Sequence, residues 1–179
     1  MCAAARQQIE TPRLIGHRVT EDDFEYLAKT DSDWRIQEHV YGKVQTREES
    51  RLHLERCLRR WDQSGYGLWI FTTKHAETIG HADLFPSPES PGNLEIGWVV
   101  LPELWNNGYA TEMAIACLGV AFDDLQASRV VANAQARNTG SRHVMDKCGM
   151  TPESEYIYRD GSPSVRYSID RKTWTARTR

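Results

Sequence analysis

A polar turn, Trp105-Asn106-Asn107-Gly108, lies between an apolar run and a long segment with helical spacing. The apolar run, 94–101, ends at Pro102, so the pattern predicts a strand, a tight loop and a helix. A loop of this kind leaves main-chain N–H groups free at the start of the helix, where the helix dipole is positive. The pattern therefore predicts a phosphate or diphosphate site, formed by the amides of residues 107–111.

This turn differs from two common phosphate-binding motifs. No lysine follows Gly108, as a Walker A motif requires, and only one of the three glycines of a dinucleotide-binding fingerprint is present. Binding would therefore depend on main-chain N–H groups, and Gly108 and Ala110 are small enough to let a ligand approach closely. An ordinary strand-to-helix connection is the alternative interpretation.

The rest of the chain predicts the elements that must position this turn. A capping box at Thr46-Arg47-Glu48-Glu49 and helical spacing predict a helix that ends at Gly65. Further helices are predicted over 110–125 and 138–147. Aromatic and β-branched runs predict strands over 66–73, 78–85, 129–135, 154–159 and 165–170. This order indicates an α/β domain with a mixed, mostly antiparallel sheet.

Length and composition fit one soluble domain. The chain has 179 residues, of which 40% are hydrophobic and 26% charged, and its net charge of −3 implies no broad basic surface for nucleic acid. Neither a signal peptide nor a run long enough to span a membrane is evident. Four widely spaced cysteines predict neither disulfides nor a zinc site, so a cytoplasmic protein is expected: Cys2, Cys57, Cys117 and Cys148.

Taken whole, residues 93–126 resemble motif A of the GNAT acyl-CoA N-acyltransferases, a strand followed by Arg/Gln-x-x-Gly-x-Gly/Ala at the start of a helix. The motif that begins at Trp105 resembles that of the RimJ/RimL ribosomal-protein N-acetyltransferase branch, in which Trp-Gly-x-Gly-Tyr-Ala-Thr-Glu is usual. Asn106 replaces the first Gly of that motif. The opening Thr11-Pro12-Arg13-Leu14 is similar to that branch too. The resemblance implies a single-domain GNAT fold with about six to seven strands and about four helices. The domain is expected over 11–172, between tails at 1–10 and 173–179.

The resemblance also implies how acetyl-CoA is held. The amides of the turn would bind its diphosphate, and the strand before the turn would pair with its pantetheine arm. The same strand would supply an N–H for the thioester oxygen, near Val99 or Val100. The implied cofactor-binding residues are Trp98, Val99, Val100, Leu101, Trp105, Asn106, Asn107, Gly108, Tyr109, Ala110, Thr111, Asn138, Ser141 and Arg142.

A second segment, 138–150, resembles motif B of the same family, Asn-x-x-Ser followed by Lys-x-Gly-Phe. The resemblance implies that Asn138 hydrogen-bonds the pantetheine arm or the loop near the thioester. Val144 occupies the place where many relatives carry a tyrosine acid, so Ser141 becomes the expected donor to the leaving sulfur. The alternatives are that Ser141 caps the helix and that Arg142 is a solvated surface residue instead of a phosphate ligand.

Glu95 is the first candidate for the general base, since several family members carry a glutamate at this place that relays a proton through water. On a strand, Glu95 shares a face with Gly97 and Val99. His81 and Asp83 alternate on one face of the preceding strand, where they indicate either a satisfied buried pair or a base with its orienting carboxylate. The base is therefore Glu95, His81 or water. The alternative interpretation of Glu95 is a charged residue at a solvated strand end.

The sequence predicts an N-acetyltransferase in which a bound amine attacks acetyl-CoA directly, with Glu95, Ser141 and Asn138 as catalytic residues. The acceptor is a protein N-terminus or a small-molecule amine. No metal, nucleic acid or membrane partner is expected, and the protein is expected to be a monomer or homodimer. A non-catalytic CoA sensor and a structural domain that binds a partner protein are the other hypotheses.

Overall fold

The computed structural model describes residues 5–158 and 161–178. Residues 1–4, Arg159, Asp160 and Arg179 lie outside the described part, and with them the first residues of the expected N-terminal tail and the end of the strand predicted over 154–159. The strands are β1 (Gln8–Glu10), β2 (Leu14–Arg18), β3 (Leu68–Thr73), β4 (Thr78–Pro86), β5 (Leu94–Val100), β6 (Arg129–Gln135), β7 (Thr151–Ile157) and β8 (Pro163–Asp170). The α-helices are α1 (Phe24–Ser32), α2 (Trp34–Val40), α3 (Arg47–Ser64), α4 (Tyr109–Gly119), α5 (Thr139–Lys147) and α6 (Arg171–Thr178).

The described strands form one eight-stranded sheet in the order β1-β2-β3-β4-β5-β6-β8-β7. Among the described strands, only β5 and β6 pair in parallel, so the expected mixed, mostly antiparallel sheet is confirmed. Arg60 of α3 pairs with Asp83 of β4, which places α3 over the sheet face that carries Asp83. The helix α4 packs on β4 and β5 from the opposite face with buried Met113, Ala114 and Cys117.

The structure has more elements than the sequence predicted, and two of the additions, β1 and α6, lie in or next to the segments expected to be tails. β1 has three residues, and a strand so short shows no alternation that a sequence pattern could reveal, although Ile9 is buried. Three of the eight residues of α6 are charged, and its Trp174 is buried and stacks on Phe122 with ring centroids 5.6 Å apart. In the middle of the chain, the helix expected over 110–125 leaves the α-helical form at Gly119 and continues as a π-helical turn, Val120–Asp124.

The feature of the fold that matters most for function is the separation of β5 from β6. In the described residues they pair only at Leu94–Val130 and Glu95–Val131. Beyond Glu95, β5 continues along β4 as far as Val100, whereas β6 continues along β8. The two strands therefore diverge and leave a slot in the middle of the sheet, with one edge of β5 exposed.

Candidate active site

Strand alternation determines which main-chain groups of β5 face the slot. The N–H of Leu101 donates to the Ile79 carbonyl oxygen of β4 at 3.0 Å, so Leu101 and Val99 direct their main-chain groups toward β4. Trp98 and Val100 direct theirs into the slot. On that side, the Val100 carbonyl oxygen accepts from the indole N–H of Trp105 at 2.8 Å, which ties the turn to the strand. Of the two amides expected near the thioester oxygen, it is that of Val100 that faces the slot.

The turn after β5 leaves the start of α4 uncapped. Gly108 occupies the N-cap position with a φ of 78°, in the left-handed region that a side chain disfavours, and makes no side-chain cap. The first hydrogen bond of the helix runs from the Glu112 N–H to the Gly108 carbonyl oxygen at 3.1 Å. Within the described part of the chain, the N–H groups of residues 107–111 have no protein acceptor. These free donors lie at the positive end of an 11-residue helix, an arrangement that attracts an anion.

The start of α5 forms another wall of the cleft. Asn138 is its N-cap, with the side-chain oxygen accepting from the Ser141 N–H at 3.0 Å. The interpretation of Ser141 as the capping residue is therefore wrong, because Asn138 caps. An asparagine just before the helical spacing is itself a strong cap signal, so the sequence could have revealed this. Ser141 lines the cleft, and its hydroxyl has no protein partner among the described residues.

Arg142 is not the solvated surface residue of the alternative interpretation. Its Nη1 donates to the Ala136 carbonyl oxygen at 3.2 Å, and it also hydrogen-bonds the Tyr167 side chain. Its Nε is buried, and Arg142 is absent from the cleft lining among the described residues. The guanidinium thus braces the loop before α5 and does not lie free in solvent; its role as a phosphate ligand stays a prediction.

Glu95 lies where the slot begins, half-buried in the cleft wall. Its carboxylate accepts from the Ser87 hydroxyl at 2.8 Å and also hydrogen-bonds the Asn133 side chain of β6. Burial raises the pKa of Glu95 above its ordinary value, and these two hydrogen bonds offset part of the increase. A carboxyl of this kind can bind and release a proton closer to neutral pH than an exposed glutamate can.

His81 and Asp83 also line the cleft, but they do not pair with each other, so both interpretations of them as a pair are wrong. Nδ1 of His81 hydrogen-bonds the hydroxyl of Tyr26 at 3.0 Å, and Asp83 accepts from Arg60 at 2.5 Å. Desolvation lowers the pKa of His81 to about 3, which keeps the imidazole neutral at physiological pH.

A buried ion pair, which the sequence did not suggest, lies in the same cleft. Nδ1 of His53 on α3 is 3.0 Å from the carboxylate of Asp31, which is 2% exposed. Desolvation lowers the pKa of His53, but its interactions with Asp31 and Cys57 together outweigh this effect and raise the pKa to about 10. The cleft as a whole encloses about 1100 Å³ between α2, α3, the separating strands and the starts of α4 and α5. This volume suits a drug-sized or larger ligand.

Among the described residues, no group of three or more His, Cys, Asp or Glu side chains is arranged to hold a metal ion. None of the helices in residues 5–158 and 161–178 combines the length and apolar character that a bilayer crossing requires.

Comparison with known proteins identifies the family. The chain is 28% identical over 190 residues to the FsC-acetyl coenzyme A-N(2)-transacetylase of Aspergillus fumigatus, covering 97% of this chain and 80% of that protein. A GNAT acetyltransferase structure from Bacillus anthracis superimposes with a TM-score of 0.80 and 26% identity over 92% of this chain and 99% of that one. RimL in complex with coenzyme A shares the fold, with a TM-score of 0.77 and 17% identity over 91% and 97% of the two chains. The family described as Acetyltransferase (GNAT) domain matches residues 13–151, so this protein belongs to the GNAT acetyltransferases.

Proposed function

We propose that this acetyltransferase moves the acetyl group of acetyl-CoA to a primary amine, which attacks the thioester directly. The observation that carries the proposal is the juxtaposition of two sets of free N–H donors, one at the start of α4 and one along the open edge of β5. The first set suits a diphosphate, and the second suits the amide groups of a pantetheine arm. The name of the Aspergillus relative, which refers to acetyl transfer from acetyl coenzyme A to a nitrogen, supports the same chemistry.

Acetyl-CoA supplies an acetyl group that is already activated as a thioester. The amides of residues 107–111 hold the diphosphate, and the main-chain groups of Trp98 and Val100 that face the slot pair with the pantetheine arm. The Val100 N–H donates to the thioester oxygen, where negative charge develops during attack. The Ser141 hydroxyl, which has no partner in the described part of the chain, donates to the sulfur as the carbon–sulfur bond breaks.

Glu95 takes a proton from the ammonium group of the acceptor, directly or through a water, and the neutral amine then attacks the thioester. Its raised pKa brings it closer to the operating pH, the condition for an efficient base. His81 is a weaker candidate, because an imidazole with a pKa of about 3 holds a proton poorly at neutral pH. Asp83 is committed to Arg60 and does not orient His81.

The test measures free thiol released from acetyl-CoA in the presence of a panel of primary amines. The panel contains peptides with free α-amino groups, polyamines and amino sugars, and a reaction without amine is the blank. We expect amine-dependent thiol release by the wild type and none by Gly108→Trp, because a side chain strains the left-handed backbone, with its φ of 78°, that presents the free amides. Thermal unfolding with CoA provides an independent readout, since a bound ligand raises the midpoint by mass action. A wild type that gains no stability from CoA would overturn the proposal.

A further inference from the structure

The opening segment of the chain meets the first turn of α4 at Glu112. The Glu112 carboxylate accepts from the Thr11 hydroxyl at 2.6 Å, from the Arg13 N–H at 2.9 Å and from Nε of Arg13 at 2.6 Å. Desolvation raises the pKa of Glu112, but these donors outweigh it and hold the pKa below its ordinary value. Glu112 is therefore ionised at neutral pH, only one turn from the amides expected to bind the diphosphate.

A negative charge at this place has two opposite effects. It interacts favourably with the positive end of the helix, and it repels the diphosphate that would occupy the same end. The Arg13 guanidinium lies directly on the carboxylate and compensates its charge. Arg13 belongs to the opening motif and Glu112 to the helix motif, 99 positions further along the chain. The two side chains thus form one ion pair that links the two motifs.

Arg13 also reaches the turn itself. Its Nη1 donates to the Asn107 carbonyl oxygen at 3.0 Å, and its guanidinium lies 4.5 Å from the centre of the Tyr109 ring. In a planar trans peptide, the carbonyl of one residue and the N–H of the next point in opposite directions. By holding the Asn107 carbonyl on its own side, Arg13 turns the Gly108 N–H to the other side, where it is free to bind a ligand.

We propose that Arg13 is a positioning residue for the coenzyme, which screens Glu112 from the diphosphate and orients the Gly108 amide. This inference rests on the proposed function, because it assumes that α4 receives CoA. Arg13 itself is absent from the cleft lining among the described residues, so it acts through Glu112 and Asn107 and not by contact with the ligand.

The experiment measures CoA affinity by calorimetry for the wild type and for Arg13→Gln, Glu112→Gln and the double variant. We expect Arg13→Gln to weaken binding roughly tenfold, a moderate value because the Arg13 side chain is half exposed. Glu112→Gln should bind at least as tightly as the wild type, and the double variant should recover most of the loss. The deficit of Arg13→Gln should also shrink at about 0.5 M salt, which screens the charge left on Glu112. Arg13→Lys keeps the charge but has a single nitrogen in place of the guanidinium, so its CoA affinity should lie between those of Arg13→Gln and the wild type.

Arg18→Gln is the matched control. Arg18 ends β2, the strand that begins at the last residue of the opening motif, Leu14, and it pairs with Asp62 at 2.6 Å, away from the turn. Its CoA affinity should equal that of the wild type. If the wild type binds CoA and Arg13→Gln binds it equally well, the role of Arg13 is overturned while the proposed function stands. A double variant as weak as Arg13→Gln would overturn the compensation of Glu112. A wild type that binds no CoA would overturn the proposed function itself.

Discussion

Replacing Gly80 with alanine should disturb the slot from the far side of β5. Gly80 is buried in β4 directly opposite Val100. A Cβ at this position would lie 2.2 Å from the Val99 carbonyl oxygen and 3.0 Å from the Val100 Cα. Both atoms belong to the main chain, so no side-chain rotation relieves the clash, and β5 must move by about 1 Å to restore ordinary contact.

The expected magnitudes separate stability from catalysis. Overpacking at a buried site costs roughly 1–3 kcal/mol of unfolding free energy, which a domain stable by about 5–15 kcal/mol tolerates. The Val100 amide that faces the slot moves with β5, and a displacement of about 1 Å at a reacting centre lowers turnover by roughly 100-fold. Gly80→Ala should therefore remain folded, with a modest loss of stability and a large loss of turnover.

The assay compares thermal unfolding, CoA affinity and kcat of Gly80→Ala with those of Gly16→Ala. At Gly16 of β2, which does not adjoin β5, a Cβ would lie 2.7 Å from the ring of Phe71, a clash with a side chain that is milder than the main-chain clash at Gly80. This control should lose stability but keep turnover and CoA affinity. If Gly80→Ala keeps the kcat of the wild type while its unfolding midpoint falls no further than that of Gly16→Ala, the reasoning about β5 is refuted.

Glu95→Gln should lower kcat by roughly 10²- to 10⁴-fold and remove the rise in rate with pH, because the wild type gains its base as pH passes the raised Glu95 pKa; an unaltered pH profile would point to His81 or water. Ser141→Ala should lower kcat by roughly 10- to 100-fold while CoA affinity stays nearly constant, and unchanged turnover would remove Ser141 from the mechanism. His53→Leu should cost roughly 3 kcal/mol of unfolding free energy near pH 6, since it leaves the buried Asp31 unpaired. Because the pKa of His53 is raised from 6.5 to about 10, the stabilisation by its positive charge is complete below pH 6.5 and is lost as pH rises through 10. If denaturant titrations show that His53→Leu loses the same unfolding free energy at both ends of this pH range, the charged state of His53 in the pair is contradicted.

Signals that depend on a few neighbouring residues were readable from the sequence. The capping box of α3 forms as expected, with the Glu49 N–H donating to the Thr46 hydroxyl at 3.2 Å and the Glu49 carboxylate accepting from the Thr46 N–H at 2.7 Å. Gly65 ends the helix in the left-handed conformation, with a φ of 73°. Such interactions close within one turn of chain, so residue type and spacing determine them.

Pairings between distant residues were not readable in the same way. Tyr26 and His81 are 55 positions apart, and Arg60 and Asp83 are 23 apart. In the sequence His81 and Asp83 suggest each other as partners because they alternate on one strand, yet each finds its partner on a helix packed above. Only the packing of α1 and α3 on the sheet decides this, and no local pattern encodes it.

The separation of β5 and β6 divides the sheet into two plates of paired strands, which are joined along a short seam. One plate consists of β1 to β5 and the other of β6, β8 and β7, and in the described residues the seam has only the pairs Leu94–Val130 and Glu95–Val131. A small rotation about such a seam widens or narrows the gap without breaking any ladder inside either plate. The proposed proton acceptor, Glu95, is itself part of the seam, so a rotation about the seam would turn around the residue that takes the proton.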